Sequence, residues 1–260
     1  MVYFTPTPIG NLEDISKRAI KALSISEIIF CEDTRVTKKL LNLLNIPLNK
    51  EFISLHSHNE NKVLLKINPE ILKSKECAYV SDAGMPAISD PGSKLIQFCQ
   101  KHQIPYTVIP GANAALTAFV ASGFEGEFCF FGFLPHKGNE REKKLNEIIN
   151  SKKISILYES PHRIEKLINE LKEKIPDRIV FLAKELTKIH ETFIKAKAKD
   201  IKIENTKGEW VVVIDKTKEQ KTLTLTYDEI LKLPIPPKEK SKLLAKISNK
   251  SAKEIYKELI

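Results

Sequence analysis

Short apolar runs alternate with amphipathic segments along the first 110 or so residues of the chain. The apolar runs, each typical of a buried strand, lie at 2–5, 28–31, 52–55, 77–80 and 106–109. The segments in which apolar residues recur at helical spacing lie at 14–23, 37–44, 61–72 and 93–102. This alternation of strands and helices predicts a mainly parallel sheet covered by helices.

The pattern changes after the alanine- and glycine-rich segment at 110–123. Strand-like runs then dominate, at 128–133, 154–158, 179–182, 192–196 and 210–214. Helical patterns separate some of them, at 141–149 and 163–172. We predict a second α/β domain with a mixed sheet, a cleft between the two domains, and a lysine-rich tail of two or three short helices. The predicted domains are 1–111, 112–216 and 217–260.

Composition narrows the class of protein. No apolar run approaches the length of a membrane helix, and the N-terminus lacks the basic and apolar regions of a signal peptide, so we expect a cytoplasmic protein. Four scattered cysteines favour reduced core residues over disulfides or a zinc site. The net charge of +9 suggests a polyanionic partner such as RNA. Only five of the 42 basic residues are arginines, so part of this excess reflects lysine-rich composition.

The most informative motif follows the fourth predicted strand. Residues 81–92 read SDAGMPAISDPG and lie between a buried strand and a helix, beyond the strand end where open α/β sheets bind their ligands. Asp82 can accept hydrogen bonds from a ribose hydroxyl or a cationic group. Gly84 and Gly92 permit backbone conformations that other residues avoid, and Ser89 or Asp90 could cap the following helix. A polar turn without a ligand is the alternative interpretation.

The loops after the other strands are also polar or rich in small residues. They read TPTPIGNL at 5–12, CEDTRVTKK at 31–39, LHSHNE at 55–60 and PGANAA at 110–115. No Walker loop and no Gly-x-Gly-x-x-Gly follows a strand, which disfavours ordinary nucleotide binding through a glycine-rich first loop. His56 and His58 could begin a metal site, but no third ligand is placed to complete it, so none is predicted.

Taken together and in order, these motifs resemble the ribosomal RNA 2′-O-ribose methyltransferases of the tetrapyrrole (corrin/porphyrin) methylase superfamily. The resemblance spans roughly residues 1–216. It continues in the strings GFLP at 132–135, YESPHR at 158–163, AKELT at 183–187 and GEW at 208–210. It implies a two-domain class III methyltransferase fold with S-adenosylmethionine in the interdomain cleft, and commonly a homodimer.

By position in these motifs, the resemblance implies that residues of both domains contact the cofactor. The implied set is Pro8, Ser81, Asp82, Met85, Asn113, Ala114, Tyr158 and Glu159. A base or a cation would assist attack by a ribose hydroxyl, but no motif selects one residue for this role. The candidates are Lys184, Glu185, Glu159, Arg35, His58 and Glu60. Lys137 and Arg141, in a basic loop, together with Arg163 are suited to contact RNA phosphates.

The leading hypothesis is an enzyme that methylates the ribose 2′-hydroxyl of a cytidine in the decoding centre of small-subunit (16S) ribosomal RNA. The cytidine and its position are implied by the resemblance alone, and the substrate is either the RNA or the small ribosomal subunit. Two alternatives remain open. One is C-methylation of a tetrapyrrole precursor, against which stand the EDTR and HSHNE strings and the basic loop. The other is a non-catalytic RNA-binding factor, against which stand the intact SDAG and PGANA segments.

Overall fold

The computed structural model describes residues 1–217, 225–248 and 250–260. The chain divides into two compact units, Met1–Thr217 and Lys218–Ile260. Both predicted sheets belong to the first unit. The division of that unit near residue 111 stays a prediction.

Five parallel strands form the first sheet, in the order β3-β2-β4-β1-β5. They are β1 (Val2–Phe4), β2 (Ile28–Cys31), β3 (Glu51–Ser54), β4 (Cys77–Val80) and β5 (Tyr106–Val108). Strands β2 and β4 are buried at every position, because helices cover both faces of the sheet. Alternate residues of β4 therefore enter different cores: Tyr79 packs on one face and Val80 on the other.

The helices of this half are α1 (Lys17–Ile25), α2 (Thr34–Leu43), α3 (Glu60–Leu64), α4 (Pro69–Ser74) and α5 (Ser93–Lys101). The prediction of one helix over 61–72 is wrong, because the segment forms two short helices instead. Pro69 lacks an amide hydrogen and cannot continue a helix, but it suits the first position of α4. The Asn68 side chain caps α4 by accepting a hydrogen bond from the Glu70 amide at 3.0 Å.

The second sheet is mixed, as predicted, with the order β6-β7-β10-β8-β9. Its strands are β6 (Phe128–Phe133), β7 (Ile154–Glu159), β8 (Ile179–Lys184), β9 (Thr192–Lys197) and β10 (Trp210–Ile214). Only the β6–β7 pair is parallel. The helices are α6 (Ala114–Ser122), α7 (Gly138–Ile149) and α8 (Ile164–Lys174). Leu145 of α7 and Leu171 of α8 share the core of one face, whereas Ala118 of α6 packs on the other.

The second unit is helical, as predicted for the tail. Its helices are α9 (Tyr227–Lys232), α10 (Pro237–Leu244) and α11 (Ala252–Leu259), which share a small core centred on Ile230, Leu244 and Ile255. Thr226 and Ser251 each begin a helix with a reciprocal capping box. No helix in the described parts of the chain is long and apolar enough to cross a membrane. All four cysteines are free, and the interpretation as core residues is confirmed for the three that are buried, Cys31, Cys77 and Cys99.

Candidate functional site

A cavity of about 340 Å³ opens where the loops of the first sheet meet the strand ends of the second. The loops that follow strands of the first sheet contribute Ile9 and residues between 83 and 90 to its wall. The start of α6, the ends of β6 and β7 and the start of β10 contribute the rest. They supply Asn113, Ala114, Phe133, Tyr158, Glu159, Ser160, Pro161, Glu209, Trp210 and Val211.

Main-chain hydrogen bonds join the loops after β1 and β4 at the cavity. The Thr7 amide donates a hydrogen bond to the Gly84 carbonyl, and the Gly84 amide donates one back, each at 3.0 Å. Gly84 has a φ of 80°, a backbone conformation that favours glycine. The buried Ser81 hydroxyl donates to the same Gly84 carbonyl at 3.3 Å. Ser81 therefore holds the loop in place and is not itself part of the cavity wall.

The PGANA loop, which follows β5, reaches the cavity by packing closely against the loop after β1. A Cβ atom added to Gly111 would lie 2.3 Å from Cγ of Pro6, so only glycine lets the loop after β5 pack against the loop after β1. Two residues further on, Asn113 caps α6, because its side-chain oxygen accepts a hydrogen bond from the Leu116 amide at 3.0 Å. Asn113 and Ala114 thereby become one wall of the cavity.

The opposite wall is aromatic. The Tyr158 ring lies 4.8 Å from the ring of Phe130 and 5.5 Å from that of Phe133, centroid to centroid, in edge-on arrangements typical of aromatic pairs. Burial raises the pKa of Tyr158, so its hydroxyl is neutral at physiological pH. This wall offers a flat apolar surface with one polar end.

A buried ion-pair network lies behind the wall, and it includes two of the residues predicted to contact RNA. The guanidinium of Arg141 bonds the Glu170 carboxylate at 2.8 Å and lies 3.6 Å from Glu159, and its side chain is only 3% exposed. Arg163 uses all three guanidinium nitrogens, on Glu159, on the Ser160 hydroxyl and on a main-chain carbonyl. The Arg141 side chain is therefore turned away from solvent, and Arg163 uses three of its five N–H donors within the chain, so neither is placed for the predicted phosphate contact. Buried carboxylates draw both side chains inward.

The same network bears on Glu159, which was a candidate for both cofactor contact and proton transfer. Glu159 contributes to the cavity wall, but its side chain is 0% exposed and is held between the two arginines. Its carboxylate cannot reach a substrate in this arrangement. The wall contact of Glu159 is therefore made by its main chain.

The remaining predicted cofactor residues fall into two groups. Met85 lines the cavity together with the α6 and β7 residues described above. Pro8 and Asp82 lie beside the cavity and not in its wall. Asp82 is exposed, and its carboxylate accepts a hydrogen bond from the Asp33 amide at 3.1 Å, which ties the loop after β4 to the start of α2.

Two candidates for proton transfer, Lys184 and Glu185, lie outside this cavity. The ammonium of Lys184 stands 5.5 Å from the centre of the Trp210 ring and donates to the Asn205 carbonyl. Glu185 borders a second, more open hollow, which is also lined by residues 10–12 and 187–190. Its carboxylate accepts hydrogen bonds from the Lys188 ammonium at 2.9 Å and the Glu209 amide at 2.8 Å. Burial alone would raise the pKa of Glu185, but these bonds outweigh it and lower that pKa.

The other candidates lie among the loops of the first sheet and do not line the cavity. Arg35 is exposed and pairs with Asp33 at 2.6 Å. His58 is exposed, whereas Glu60 is buried and accepts a hydrogen bond from the Gly92 amide at 3.1 Å. Glu60 thus anchors the end of the 81–92 loop. Within the described ranges, no three histidine, cysteine, aspartate or glutamate side chains are placed to hold a metal ion.

Asp90 is the site residue that the sequence analysis missed. Gly92 occupies the N-cap position of α5, so neither Asp90 nor Ser89 caps that helix. Asp90 instead lines the cavity. Burial, followed by the nearby charges of Glu32 and Asp82, raises its pKa to about 7. Its place in the 81–92 motif was the available signal, but its protonation depends on residues distant in sequence.

Comparisons with known proteins agree with this architecture. The family of tetrapyrrole (corrin/porphyrin) methylases matches residues 1–202. Two solved structures cover 83% of this chain at 17% identity, the methyltransferase CobJ with a TM-score of 0.61 and uroporphyrin-III-C-methyltransferase from Thermus thermophilus with 0.56. At that identity they show the fold alone.

Curated relatives are much more similar. The chain is 48% identical to a Campylobacter fetus protein named ribosomal RNA small subunit methyltransferase I, over 100% of both chains. A Helicobacter pylori protein of the same name is 43% identical over 98% of this chain and 96% of its own. The chain therefore belongs to the tetrapyrrole (corrin/porphyrin) methylases and, within that family, to the group of proteins named ribosomal RNA small subunit methyltransferase I.

Proposed function

We propose that this chain transfers a methyl group from S-adenosylmethionine to the ribose 2′-hydroxyl of a cytidine in the decoding centre of small-subunit (16S) ribosomal RNA. The observation that carries the proposal is the 48% identity, end to end, with a protein named as a small-subunit ribosomal RNA methyltransferase. The ribose, the cytidine and the decoding centre come from the motif resemblance. A cytoplasmic location accompanies such a substrate.

The cavity fits S-adenosylmethionine in its size, shape and charge. Its volume is within the roughly 300–1,000 Å³ of most small-molecule sites. Gly84 and Ala114 keep one wall free of bulky side chains, where a flat base can approach the main chain. Among the described residues that line the cavity, the charged ones are Asp90, Glu159 and Glu209, and none is basic. Because no basic side chain is in this lining, it does not repel a ligand that carries a sulfonium and an ammonium group.

The residues of the chain would contribute mainly positioning and the exclusion of water. When bound, the cofactor supplies an electrophilic methyl group on sulfur. The loops joined by the Thr7–Gly84 hydrogen bonds form one rigid side of the cavity, and the aromatic wall around Tyr158 forms the other. The cofactor and the ribose hydroxyl can therefore be held in line between them. Apolar walls remove water from the reacting groups.

Two further features support the proposal on the RNA side. The net charge of +9 favours a polyanion, and Lys137 is exposed at the start of α7, where it is available to a phosphate. Lys137 therefore remains the proposed phosphate contact, without Arg141 and Arg163. A tetrapyrrole precursor would also be anionic, so charge alone does not select RNA.

The outer surface of α6 supports a homodimer. Leu116 and Val120, one helical turn apart, are 50% and 78% exposed. Phe193 on the neighbouring edge strand β9 is 49% exposed, and the Lys195 ammonium joins β9 to α6 by donating to the Ser122 carbonyl at 2.7 Å. Apolar side chains gathered in this way are typical of a surface covered by a partner. We propose that a second copy of the chain covers it.

Methyl transfer to defined acceptors tests the proposed function. The protein is incubated with S-adenosylmethionine labelled in the methyl group and with small subunits, 16S RNA or a uroporphyrinogen-type substrate. Subunits from cells that lack this gene should accept label, and subunits from wild-type cells should not, because their site is already methylated. Mapping of ribose methylation then locates the label. Label on a tetrapyrrole, or on a base, would contradict the proposal.

A further inference from the structure

We propose that Asp90 is the catalytic base that takes the proton of the attacking ribose hydroxyl, an inference that rests on the proposed function. Asp90 is selected by elimination among the acidic residues of the cavity wall. Three described acidic residues line the cavity, of which Glu159 has its carboxylate enclosed between two arginines. Glu209 is 76% exposed in its side chain and pairs with Lys188 at 2.9 Å. Asp90 is the remaining acidic residue of the wall.

The loop that carries Asp90 is fixed in an unfavourable backbone conformation. Ala87 and Ser89 have φ values of 64° and 65°, in the left-handed region that residues with a side chain avoid. The loop is held at one end by the pairing of Gly84 with Thr7, and at the other by the bond from the Gly92 amide to Glu60. Strain that is maintained from both ends is common at functional sites, because it places a side chain where an unstrained turn would not.

The Asp90 carboxyl also lacks the partners that a structural carboxylate would have. No hydrogen-bond donor or cation in the described part of the chain contributes to its electrostatics; the contributions are burial and the carboxylates of Glu32 and Asp82. Glu32 follows β2, and Asp82 follows β4. An isolated carboxylate in such surroundings destabilises the fold, which favours a role with a ligand that brings its own hydrogen-bond donor.

The phenols around Asp90 are neutral, so they do not compensate its charge. Tyr79 of β4 is fully buried, and its hydroxyl has no hydrogen-bond partner among the described residues. Its pKa is raised first by burial and then by the surrounding carboxylates, which include Glu60. Tyr158 faces Asp90 from the second half, and its pKa is also raised. Every described group that acts on Asp90 therefore favours its protonated form. With a pKa of about 7, this carboxyl exchanges a proton near neutral pH, as a general base requires.

The proposed step is balanced within the site. The ribose oxygen forms a bond to the methyl carbon, while the carbon–sulfur bond breaks and its electron pair stays on sulfur. The hydroxyl proton passes to the Asp90 carboxylate, which afterwards releases it to water. The transfer avoids a positively charged ether oxygen in the product.

The test compares Asp90→Asn with the wild type, and Asp200→Asn serves as a matched control, because Asp200 is exposed and does not line the cavity. Asparagine keeps a hydrogen-bond acceptor but cannot take a proton. We expect kcat on small subunits to fall by roughly 10²–10⁴-fold in Asp90→Asn and to stay unchanged in Asp200→Asn. Affinity for S-adenosylhomocysteine, measured by calorimetry, should change by less than about threefold.

Two readouts separate proton transfer from a structural role. The wild-type kcat/KM, which reports the pKa of the free enzyme, should rise about tenfold per pH unit below a midpoint near 7 and then level off, whereas the residual kcat/KM of Asp90→Asn should not show this rise. Carbon-13 NMR of the protein labelled in its aspartate carboxyls, without cofactor, should show one signal that titrates near pH 7 and is absent from the variant.

The outcomes distinguish this proposal from the proposed function. If the wild type methylates RNA and Asp90→Asn retains its kcat, or loses only cofactor affinity, Asp90 is not the base. A carboxyl signal that titrates only near the ordinary aspartate value of about 4 would overturn the role as well. If the wild type transfers no methyl group to RNA, the proposed function fails, and the proposed role of Asp90 fails with it.

Discussion

The buried charged side chains behind the cavity wall strongly affect the stability of the protein when one of them is removed. Arg141 neutralises Glu170 and approaches Glu159, and both the guanidinium and the Glu159 carboxylate are almost completely removed from water. Such a pair adds little net stability when it is complete, because both charges lose their hydration. Removal of one partner is costly, since it leaves the other charge buried and unpaired.

We therefore predict that Arg141→Ala lowers the free energy of unfolding by about 3–5 kcal/mol. The measurement is equilibrium unfolding in urea. Lys144→Ala is the matched control, because Lys144 lies on the same helix and makes an exposed pair with Glu147, at 3.0 Å, whose loss should change the free energy by less than about 1 kcal/mol. Equal effects of the two variants would contradict the burial of the Arg141 network.

Asp90 should make stability depend on pH. Its pKa in the folded protein is about 7, above the 3.8 of a free aspartate, so the folded state binds the extra proton between these values. Stability is therefore lost as pH rises through this range, and the loss is complete above about pH 7. We predict that Asp90→Asn is more stable than the wild type at about pH 8, by about 1–2 kcal/mol after allowance for solvent screening of a partly exposed group.

The difference between Asp90→Asn and the wild type should shrink at about pH 5, where the folded-state carboxyl is already protonated. Urea unfolding at the two pH values measures it. In Asp200→Asn, the difference from the wild type should be the same at both. A pH-independent effect of Asp90→Asn would show that its carboxyl is not perturbed in the folded protein.

At the scale of elements, the cavity depends on how closely three loops approach one another. The loops after β1, β4 and β5 all leave the carboxyl edge of the parallel sheet, and two contacts hold them together: the Thr7–Gly84 pair and the packing of Gly111 on Pro6. The second contact has no room for a side chain. A methyl group there must move one loop away from the other.

We predict that Gly111→Ala destabilises the protein by about 1–3 kcal/mol and also weakens the binding of S-adenosylhomocysteine, because the shift displaces Asn113 and Ala114. Calorimetry and urea unfolding measure the two effects. The control is Gly138→Ala at the start of α7, where an added Cβ meets no atom within 4 Å and only the φ of 79° is unfavourable. It should cost about 1–2 kcal/mol of stability and leave ligand affinity unchanged. Unchanged affinity in Gly111→Ala would contradict the site.

At the scale of the whole molecule, the positive charge should appear in the salt dependence of RNA binding. We predict that Lys137→Ala reduces the slope of log affinity against log salt by about 0.7–0.9, the value for one phosphate contact. The measurement is RNA binding over a range of salt concentrations, with the exposed Lys202→Ala as control. An identical slope in both variants would make Lys137 an ordinary surface lysine.

The first compact unit should bind the cofactor without the second. All residues of the cavity belong to Met1–Thr217, and the family match ends at residue 202. We predict that a chain of residues 1–217 binds S-adenosylhomocysteine within about threefold of the full-length affinity, as measured by calorimetry. A much larger loss would mean that the second unit supports the site. Comparing the activities of the shortened and full-length chains on small subunits then shows what the second unit contributes to RNA recognition.

The sequence by itself determined the strands and the loops that carry the site. Strands such as β2, β4 and β10 were predicted with the bounds that the structure shows, because continuous apolar runs between polar turns have few alternatives. The residues of the 81–92 loop were recognisable from their order alone. Helix α6 was not predicted, since alanine-rich helices that are apolar on most sides show little amphipathic periodicity.

Only the tertiary structure decided what the charged side chains do. Arg141, Glu159 and Glu170 are far apart in sequence, and nothing local indicates that they meet in a buried network. The raised pKa of Asp90 likewise depends on burial and then on Glu32, some sixty residues away. Local patterns record which residues prefer burial, whereas the charge state of a residue depends on desolvation and on neighbours that only the fold brings together.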